Sequence, residues 1–474
     1  MSSRFSFGAL AASAAAMLVV SLGASACSSS SSDDEADNPT FAQTIEPLVQ
    51  DKCQKCHRAG GIAPFSLESY EDWKRMGGVA KLKVQAREMP PWGAFSDEKC
   101  KIEHKFKDDI SMTDDQIAKF AKWVDNGMPM GDESKRPQRL NFGATGLLDK
   151  TNTFAMSKAF EVQGGGKDDI RCFPLDPGFT TDQWIGASNV VPGEPAVVHH
   201  VIVFVDPKGT AVAKAGPDGS YPCFGGPQLE QPSLLVAWAP GVPVTNYGEE
   251  AGLKVPKGSH LVMQVHYHPH ANTKLDKTSF ELKTLPYKPG YVAQVLVVGN
   301  AEQSTGIFRL LPGPNDPASG PAFFIPSNVK DHTESMVLDV PTKFGNVDVP
   351  EQQIYSVGSH MHWAGVDMKI EIERKNPAEG QPAKECLLGT PKYDFNWQRG
   401  YTYDEVPDKL PRLGPGDTLR YTCKYDNTSS NRYVSQKMKD ERLASPPDIK
   451  LGETTLDEMC VGAIVTVRRA TFVD

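Results

Sequence analysis

The chain has 474 residues, enough for about three domains with their own cores. It carries 50 basic and 59 acidic residues, which gives a formal net charge of -9, and no block of basic residues interrupts it. This balance argues against nucleic-acid binding and is typical of an ordinary globular protein.

Residues 1–27 have the composition of a targeting segment. An apolar, Ala-rich run from Phe7 to Leu22 precedes small residues and then Cys27. The run is short and no basic cluster follows it, which favours cleavage over a retained membrane anchor. Cys27 resembles the lipidated cysteine of a bacterial lipobox, although Ala24 stands where Leu is usual. We therefore expect an exported lipoprotein, periplasmic or anchored to the outer membrane, with simple secretion as the alternative, and a flexible Ser- and Asp-rich tether over 28–40.

A covalent-haem motif follows the tether. In the run Cys-Gln-Lys-Cys-His, the thiols of Cys53 and Cys56 are spaced to add to the two haem vinyl groups, and the imidazole of His57 can reach the iron. A redox or zinc Cys-x-x-Cys is the alternative, but no second Cys pair with zinc spacing lies nearby. The motif predicts one covalently bound haem c.

Helical signals surround this motif. Thr40–Val49 reads as a short helix, and a second helix opens with Thr113 or Asp114 as its N-cap and ends before Gly127. The second helix resembles the C-terminal helix of small class I cytochromes c. The resemblance implies a small all-α cytochrome c domain over 41–131.

The sixth ligand of the haem iron is expected to be Met89, because the two following prolines would hold an extended loop across the haem face. A methionine and histidine pair raises the haem potential and suits an electron relay. The alternatives for this ligand are Met76, Met112, Met128, Met130 and His104.

After a linker over 132–147, the pattern changes to short runs rich in Val, Ile, Tyr and Thr that Gly, Pro, Asn and Asp separate. No long helical period intervenes. The pattern predicts two all-β sandwich domains, jelly-roll-like, over 148–285 and 286–474. The runs are Val197–Val205, His260–His268, Val292–Val298, Ile354–Val357, Met368–Ile372 and Ala463–Val467.

The pair His360 and His362 lies in a further strand-like run. Residues two apart on a strand point to the same face, so both imidazoles can bind one metal ion. Met459 would add a thioether, a soft ligand that suits Cu(I), whereas zinc more often takes a third histidine or a carboxylate.

The adjacent His199 and His200 pose a geometric problem. Neighbouring strand residues point to opposite faces, so joint metal binding needs a strand end or a bulge. The spacing alone leaves the third ligand open, with His266 and His268 equivalent because they share a face. The candidates are His266, His268, His270 and His260.

Four ordered motifs carry a family resemblance that covers roughly residues 150 to 474. The motifs are Val198-His199-His200-Val201, Gln264-Val265-His266-Tyr267, His360-Met361-His362-Trp363-Ala364-Gly365 and Asp457-Glu458-Met459-Cys460. They resemble the copper type II, ascorbate-dependent monooxygenases, the group of peptidylglycine and dopamine β-hydroxylating enzymes.

The resemblance implies two copper ions, one in each sandwich, with an open cleft between them. The electron-transfer copper would be bound by His199, His200 and His266. The oxygen-activating copper would be bound by the catalytic set of His360, His362 and Met459.

The six cysteines beyond Cys56 are expected to pair in an oxidising compartment. By the resemblance, Cys423 pairs with Cys460 and Cys172 pairs with Cys223. Cys100 and Cys386 have no counterpart, and they either pair between domains or stay free.

The chain also departs from the family. The peptide-amidating branch has Arg, Asn and Tyr at three positions that grip a substrate carboxylate, and here those positions hold Gly358, Val461 and Ala463. Amidation of peptide C-termini is therefore disfavoured, and the amine-hydroxylating branch is not established either.

The sequence thus predicts an exported copper monooxygenase that hydroxylates a C–H bond of a small organic substrate with O2. Electrons would come from an external redox protein or an ascorbate-like reductant and pass through the haem to the two coppers. The alternatives are a non-catalytic haem and copper electron-transfer or copper-binding lipoprotein, and a haem-only redox sensor with β-sandwich interaction domains.

Overall fold

The computed structural model describes residues 38–471 except 60, 62, 141–145, 166–167, 240–241, 243, 269 and 453–456. The targeting segment and Cys27 lie outside the described residues. Among the residues it does describe, no helix is both long enough and apolar enough to cross a membrane.

Three short helices form the N-terminal part. A π-helical turn, Phe41–Ile45, runs into α1 (Glu46–Lys52), and α2 (Tyr70–Gln85) and α3 (Asp114–Asp125) follow. Both α2 and α3 begin with a capping box, in which the N-cap side chain and the side chain three residues later each bond the other's backbone N–H. Thr113 is the N-cap of α3. A small apolar cluster around Trp73, Phe120 and Trp123 joins the helices.

The prediction of an all-α cytochrome c domain over 41–131 is wrong. The chain is predominantly β, and the stretch between α2 and α3 leaves the helices and packs on the β region. Trp92 belongs to the β core, and the ring of Phe106 stacks on Tyr403 at 5.1 Å. Ile102 forms an isolated bridge with Cys386. The apolar residues of this stretch are buried against strands, so the helices do not close a domain of their own.

The strands follow in chain order. Those of the first half are β1 (Asn152–Ala155), β2 (Phe160–Val162), β3 (Asp169–Leu175), β4 (Gln183–Val191), β5 (Val198–Asp206), β6 (Tyr221–Pro222), β7 (Ser233–Trp238), β8 (Thr245–Asn246), β9 (Ala251–Val255), β10 (His260–Tyr267), β11 (Lys274–Asp276) and β12 (Ser279–Leu285).

The second half completes the β region and adds one helix, α4 (Arg432–Asp440). Its strands are β13 (Tyr291–Gly299), β14 (Phe308–Leu310), β15 (Phe324–Ile325), β16 (His332–Asp339), β17 (Lys343–Phe344), β18 (Val347–Asp348), β19 (Gln352–His360), β20 (Gly365–Glu373), β21 (Lys384–Thr390), β22 (Gly400–Thr402), β23 (Arg412–Leu413), β24 (Thr418–Tyr425), β25 (Ile449–Lys450) and β26 (Val461–Arg469).

The two β halves share one large sheet. Strand β13 runs parallel to β9 of the first half and antiparallel to β26 of the second, and β26 pairs in turn with β19. A separate sheet has five strands, all from the second half of the chain, in the order β14-β16-β24-β20-β21. One apolar cluster extends through both halves. Strands of the two predicted sandwiches therefore belong to one sheet, in which β13 connects the two halves.

Three disulfides cross-link the described chain. Cys172 pairs with Cys223 and Cys423 with Cys460, which confirms both predicted pairings. Cys100 pairs with Cys386, the two cysteines that had no predicted partner. Disulfides persist in oxidising surroundings, so these bridges indicate an extracytoplasmic compartment.

The Cys100–Cys386 bridge ties the N-terminal part to the second β half across 286 residues of chain. Closing so long a loop removes much conformational freedom from the unfolded chain. We expect the double variant Cys100→Ala/Cys386→Ala to lower the free energy of unfolding by about 2–4 kcal/mol, measured by guanidinium titration. The matched control is the wild type with its disulfide intact, measured without reductant. Equal guanidinium midpoints of unfolding for the two proteins would contradict the expectation.

Candidate metal centres

A β-bulge brings His199 and His200 to one side of the sheet. Strands β5 and β10 pair residue by residue until His266 faces His200, and the next pair is Tyr267 with Val198. His199 is therefore the extra residue of the bulge. The bulge interrupts the alternation of side chains between the two faces of the sheet, so the side chain of His199 can turn toward that of His200. The sequence called for a strand end or a bulge at this pair, and a bulge is present.

The three imidazoles of His199, His200 and His266, here called the three-histidine cluster, converge. The Nδ1 atom of His200 lies 3.3 Å from Nδ1 of His199 and 3.4 Å from Nδ1 of His266. One nitrogen from each ring can be chosen so that all three lie within 4.8 Å of one another. Such spacing allows three nitrogens to bind one ion.

The cluster is chemically suited to a metal cation. Burial, assisted by the neighbouring histidines, lowers the pKa of His199 to about 3 and the pKa of His200 well below its usual value. The Nε2 atom of His266 is buried and has no hydrogen-bond partner. His199 and His200 are therefore neutral imidazoles, which is the form of histidine that binds copper, and His266 adds a nitrogen without a hydrogen-bond partner.

The structure distinguishes His266 from His268. His266 lies in β10 beside His200, whereas His268 follows the strand, is exposed and bonds Asp168 through Nδ1 at 3.0 Å. His260 lies at the opposite end of β10, and His270 bonds the backbone of Asn272. Of the four candidates, His266 is the one that completes the cluster.

The second pair, His360 and His362, lies where β19 ends. His360 is the last residue of the strand and His362 lies in the turn before β20. Their rings are 5.4 Å apart and perpendicular. Burial lowers the pKa of both, to about 3 for His362, so both are neutral.

Hydrogen bonds orient both rings of this pair. The Nδ1 atom of His362 donates to the carbonyl of Asp457 at 3.0 Å, and Nδ1 of His360 bonds the Oε1 atom of Gln398. Each bond occupies Nδ1 and leaves Nε2 as the atom able to bind a metal ion. Outer partners of this kind commonly set the tautomer of a ligand histidine.

A buried carboxylate joins this pair to Met459. Glu458 accepts hydrogen bonds from the backbone N–H groups of His362, Ala364 and Met459 at 2.7, 2.8 and 3.0 Å. The carbonyl of Met459 accepts a further bond from the Tyr425 hydroxyl. Burial raises the pKa of Glu458 to about 7. The segment that carries the half-buried Met459 is thereby fixed to the turn that carries His362.

Residues 391–399, here called the bridging segment, connect the two histidine groups. The ring of Phe395 stacks on His199 at 5.5 Å, and Gln398 bonds His360. Tyr393 anchors the segment, because its hydroxyl bonds both the N–H and the carbonyl of Met361. Sequence reasoning missed the roles of Phe395, Gln398 and Glu458, since none of them has metal-ligand spacing.

The haem motif retains the features that covalent attachment needs. Cys53 and Cys56 are free thiols, whereas the other cysteines of the described chain are paired. The Nδ1 atom of His57 lies 3.1 Å from the carbonyl of Phe65. This bond places the proton on Nδ1 and leaves Nε2 for an iron atom. The residues fit a haem c at this position.

The candidates for the sixth haem ligand are placed as follows. Met89 is half-buried just after α2, and its N–H bonds the carbonyl of Lys83. Both ring nitrogens of His104 contact carboxylates, of Glu385 and Glu405, so His104 is engaged elsewhere. Met76, Met112, Met128 and Met130 pack in the helical apolar cluster. Met89 stays the predicted ligand.

Comparisons with known proteins give no family assignment. No family model matches the chain, and no curated protein matches it. Among solved structures, it is similar to the major capsid protein P2 of bacteriophage PM2, with 10% identity over 68% of this chain and 98% of that one and a TM-score of 0.28. A peptide-N(4)-(N-acetyl-β-D-glucosaminyl) asparagine amidase shares 13% identity over 68% and 97%, with a TM-score of 0.23. At these scores the similarities carry no argument about function.

Proposed function

We propose that this protein is an exported copper monooxygenase that hydroxylates a C–H bond of a small organic substrate. The observation that carries the proposal is the presence of two groups of closely spaced histidines, the three-histidine cluster and the His360–His362 pair, joined by the bridging segment. Copper bound in such sites supplies one-electron transfer and O2 activation. A single structural metal site would need only one such group.

The two groups differ in ways that suit different roles. The three-histidine cluster has nitrogen ligands only, which suits electron transfer. The His360–His362 pair is linked through Glu458 to the segment that carries Met459, and a thioether ligand favours the reduced ion. We assign substrate oxidation to the second group, with Glu458 and Gln398 as positioning residues because they hold the ligand-bearing segments and touch no reacting atom.

Electron entry is assigned to the Cys53, Cys56 and His57 motif. A haem c held there supplies one-electron transfer from an external redox protein or an ascorbate-like reductant. Arg399, at the end of the bridging segment, influences the Cys56 thiol electrostatically, which places the motif near the segment that contacts both histidine groups. Export with a lipid anchor at Cys27 is part of the proposal and is supported by the sequence of residues 1–27.

The direct test counts cofactors and removes one ligand. In the purified exported protein we expect one haem by the pyridine haemochrome assay and two coppers by mass spectrometry. The Met459→Ile variant replaces the thioether by a hydrocarbon of similar size, so it should lose carbon monoxide binding to Cu(I) and reductant-driven O2 uptake coupled to product.

The matched control is Met336→Ile, the same change at a fully buried methionine of the five-stranded sheet. It should keep both copper-dependent signals. Unchanged coupled turnover in Met459→Ile would overturn the catalytic assignment. Two bound coppers without O2 uptake above that of free copper would instead favour a non-catalytic metalloprotein.

A further inference from the structure

A cavity of about 280 Å³ lies between the N-terminal part and the β region. Its walls include Lys107 and Asp108, Asn246 of β8, Arg399 and Thr402. The N–H of Lys107 bonds the carbonyl of Thr402 at 2.7 Å, so this wall is fixed to β22. None of the residues assigned above to metal binding lines this cavity.

The cationic groups of this cavity are only partly satisfied. The Arg399 guanidinium lies 4.7 Å from the ring of Trp92, and its Nε atom is buried without a hydrogen-bond partner. The Lys107 ammonium lies over the ring of Tyr355 at 5.4 Å. Contact with an aromatic face stabilises a cation but accepts no strong hydrogen bond from it. The Nε–H donor of Arg399 therefore remains available for an anionic acceptor.

The nearby acidic groups do not cancel this positive charge. Asp108 faces the cavity, and its carboxylate pairs with Lys55 at 3.9 Å. Asp109 accepts the N–H of Ser111, and its carbonyl accepts from Lys52. Asp51 adds a third carboxylate, which pairs with Lys52 at 3.0 Å. Four cations, Lys52, Lys55, Lys107 and Arg399, stand against these three carboxylates, so one positive charge remains to favour a ligand with negative charge.

The cavity is also next to the haem motif. Lys55 lies between Cys53 and Cys56, and it is this residue that reaches Asp108 on the cavity wall. Arg399 is among the charges that act on the Cys56 thiol. A haem attached to the two thiols carries its own carboxylates, the propionates, and they would need cationic partners in a half-buried site.

We propose that this cavity is a carboxylate-binding site, in which the Arg399 guanidinium and the Lys107 ammonium hold the anion. A haem propionate is the first candidate for the bound carboxylate. Arg399 suits this role because its planar fork matches a carboxylate with two parallel hydrogen bonds. Asn246 and Thr402 add neutral polar groups to the same walls. The haem source rests on the proposed function, whereas a free organic carboxylate would use the same groups without haem.

The first arm of the test measures the haem reduction potential in the holoprotein. Arg399→Gln removes the positive charge that offsets the propionate. The ferric haem is then stabilised relative to the ferrous haem, and the reduction potential falls. We expect the equilibrium constant for reduction to drop about tenfold, which is about 60 mV for a one-electron couple. Arg399→Lys keeps the charge, so its reduction potential should stay close to that of the wild type. Arg75→Gln is the matched control, because Arg75 lies exposed on α2 and pairs only with Asp72.

The second arm titrates benzoate into the same proteins by calorimetry. If the potential is unchanged but Arg399→Gln and Lys107→Gln each weaken benzoate binding about tenfold or more, the site takes a free carboxylate. A wild-type protein without haem would refute the haem assignment and leave the benzoate arm as the test of the cavity. Folded variants, checked by thermal unfolding, with neither effect would overturn the carboxylate site itself.

Discussion

Replacing His266 by alanine should reduce the copper content from two ions to one per chain. His266 faces His200 across β10 and β5 and supplies one of the three converging nitrogens. Loss of an outer partner of a metal ligand already costs about 10–100-fold in affinity, and loss of the ligand itself costs more. We therefore expect copper affinity at the three-histidine cluster to fall by more than about a hundredfold, together with coupled O2 uptake.

The control for this variant is His268→Ala, two residues further along the chain. His268 is exposed and bonds Asp168, so its removal should leave two coppers per chain. Copper is counted by mass spectrometry after dialysis, and the affinity is measured by competition with a chelator. A loss of copper in His268→Ala with full retention in His266→Ala would exchange the two assignments.

The second large effect is expected at Glu458. Its buried carboxylate satisfies three backbone N–H groups, and Glu458→Ala would leave all three without an acceptor. Each unsatisfied buried donor costs about 1–3 kcal/mol, so loss of three acceptors should lower the free energy of unfolding by about 3–9 kcal/mol. Glu458→Gln keeps one acceptor oxygen and should show a smaller loss, of about 1–3 kcal/mol.

Copper binding separates the positioning role of Glu458 from its contribution to stability. In Glu458→Ala the turn of His362 and the segment of Met459 are no longer held by one group, so Cu(I) affinity should fall about 10–100-fold. Both N–H groups donate to the same carboxylate oxygen, so Glu458→Gln can keep the two bonds and should bind Cu(I) more tightly than Glu458→Ala. The control is Glu371→Gln, a buried glutamate of β20 that contacts Lys369 and Lys384. It should lower stability without changing Cu(I) affinity, and equal Cu(I) affinities in the wild type, Glu458→Ala and Glu371→Gln would refute the positioning role.

Local signals in the sequence predicted several elements well. The helix that starts at Thr113 has a capping box, in which short-range hydrogen bonds alone define the N-terminus. The pair His199–His200 required an irregularity in its strand, and the bulge is there. The valine-rich run near residue 292 became β13. These features depend on neighbours in the chain, so the sequence displays them.

The sequence did not reveal which distant residues would pack against one another. The all-α domain failed because Trp92 and Phe106 bury their rings against Tyr401 and Tyr403, which lie some three hundred residues later. The partners of His360 and His362 escaped prediction for the same reason. Gln398 acts through one hydrogen bond to His360, and Glu458 acts through three bonds from backbone N–H groups, all set by tertiary structure. In the sequence alone, neither residue type differs from that of an ordinary surface residue.

Strand β13 constrains how this protein could be divided or recombined. It pairs with β9 over three residues on one side and with β26 over nine residues on the other, so a cut near residue 286 would expose the edge of β9 in one product and the matching edge of β13 in the other. Unpaired edges of that kind attract other chains and promote aggregation. Both halves use β13. We therefore expect that neither histidine group can be transferred to another protein as an independent module unless this strand is replaced as well.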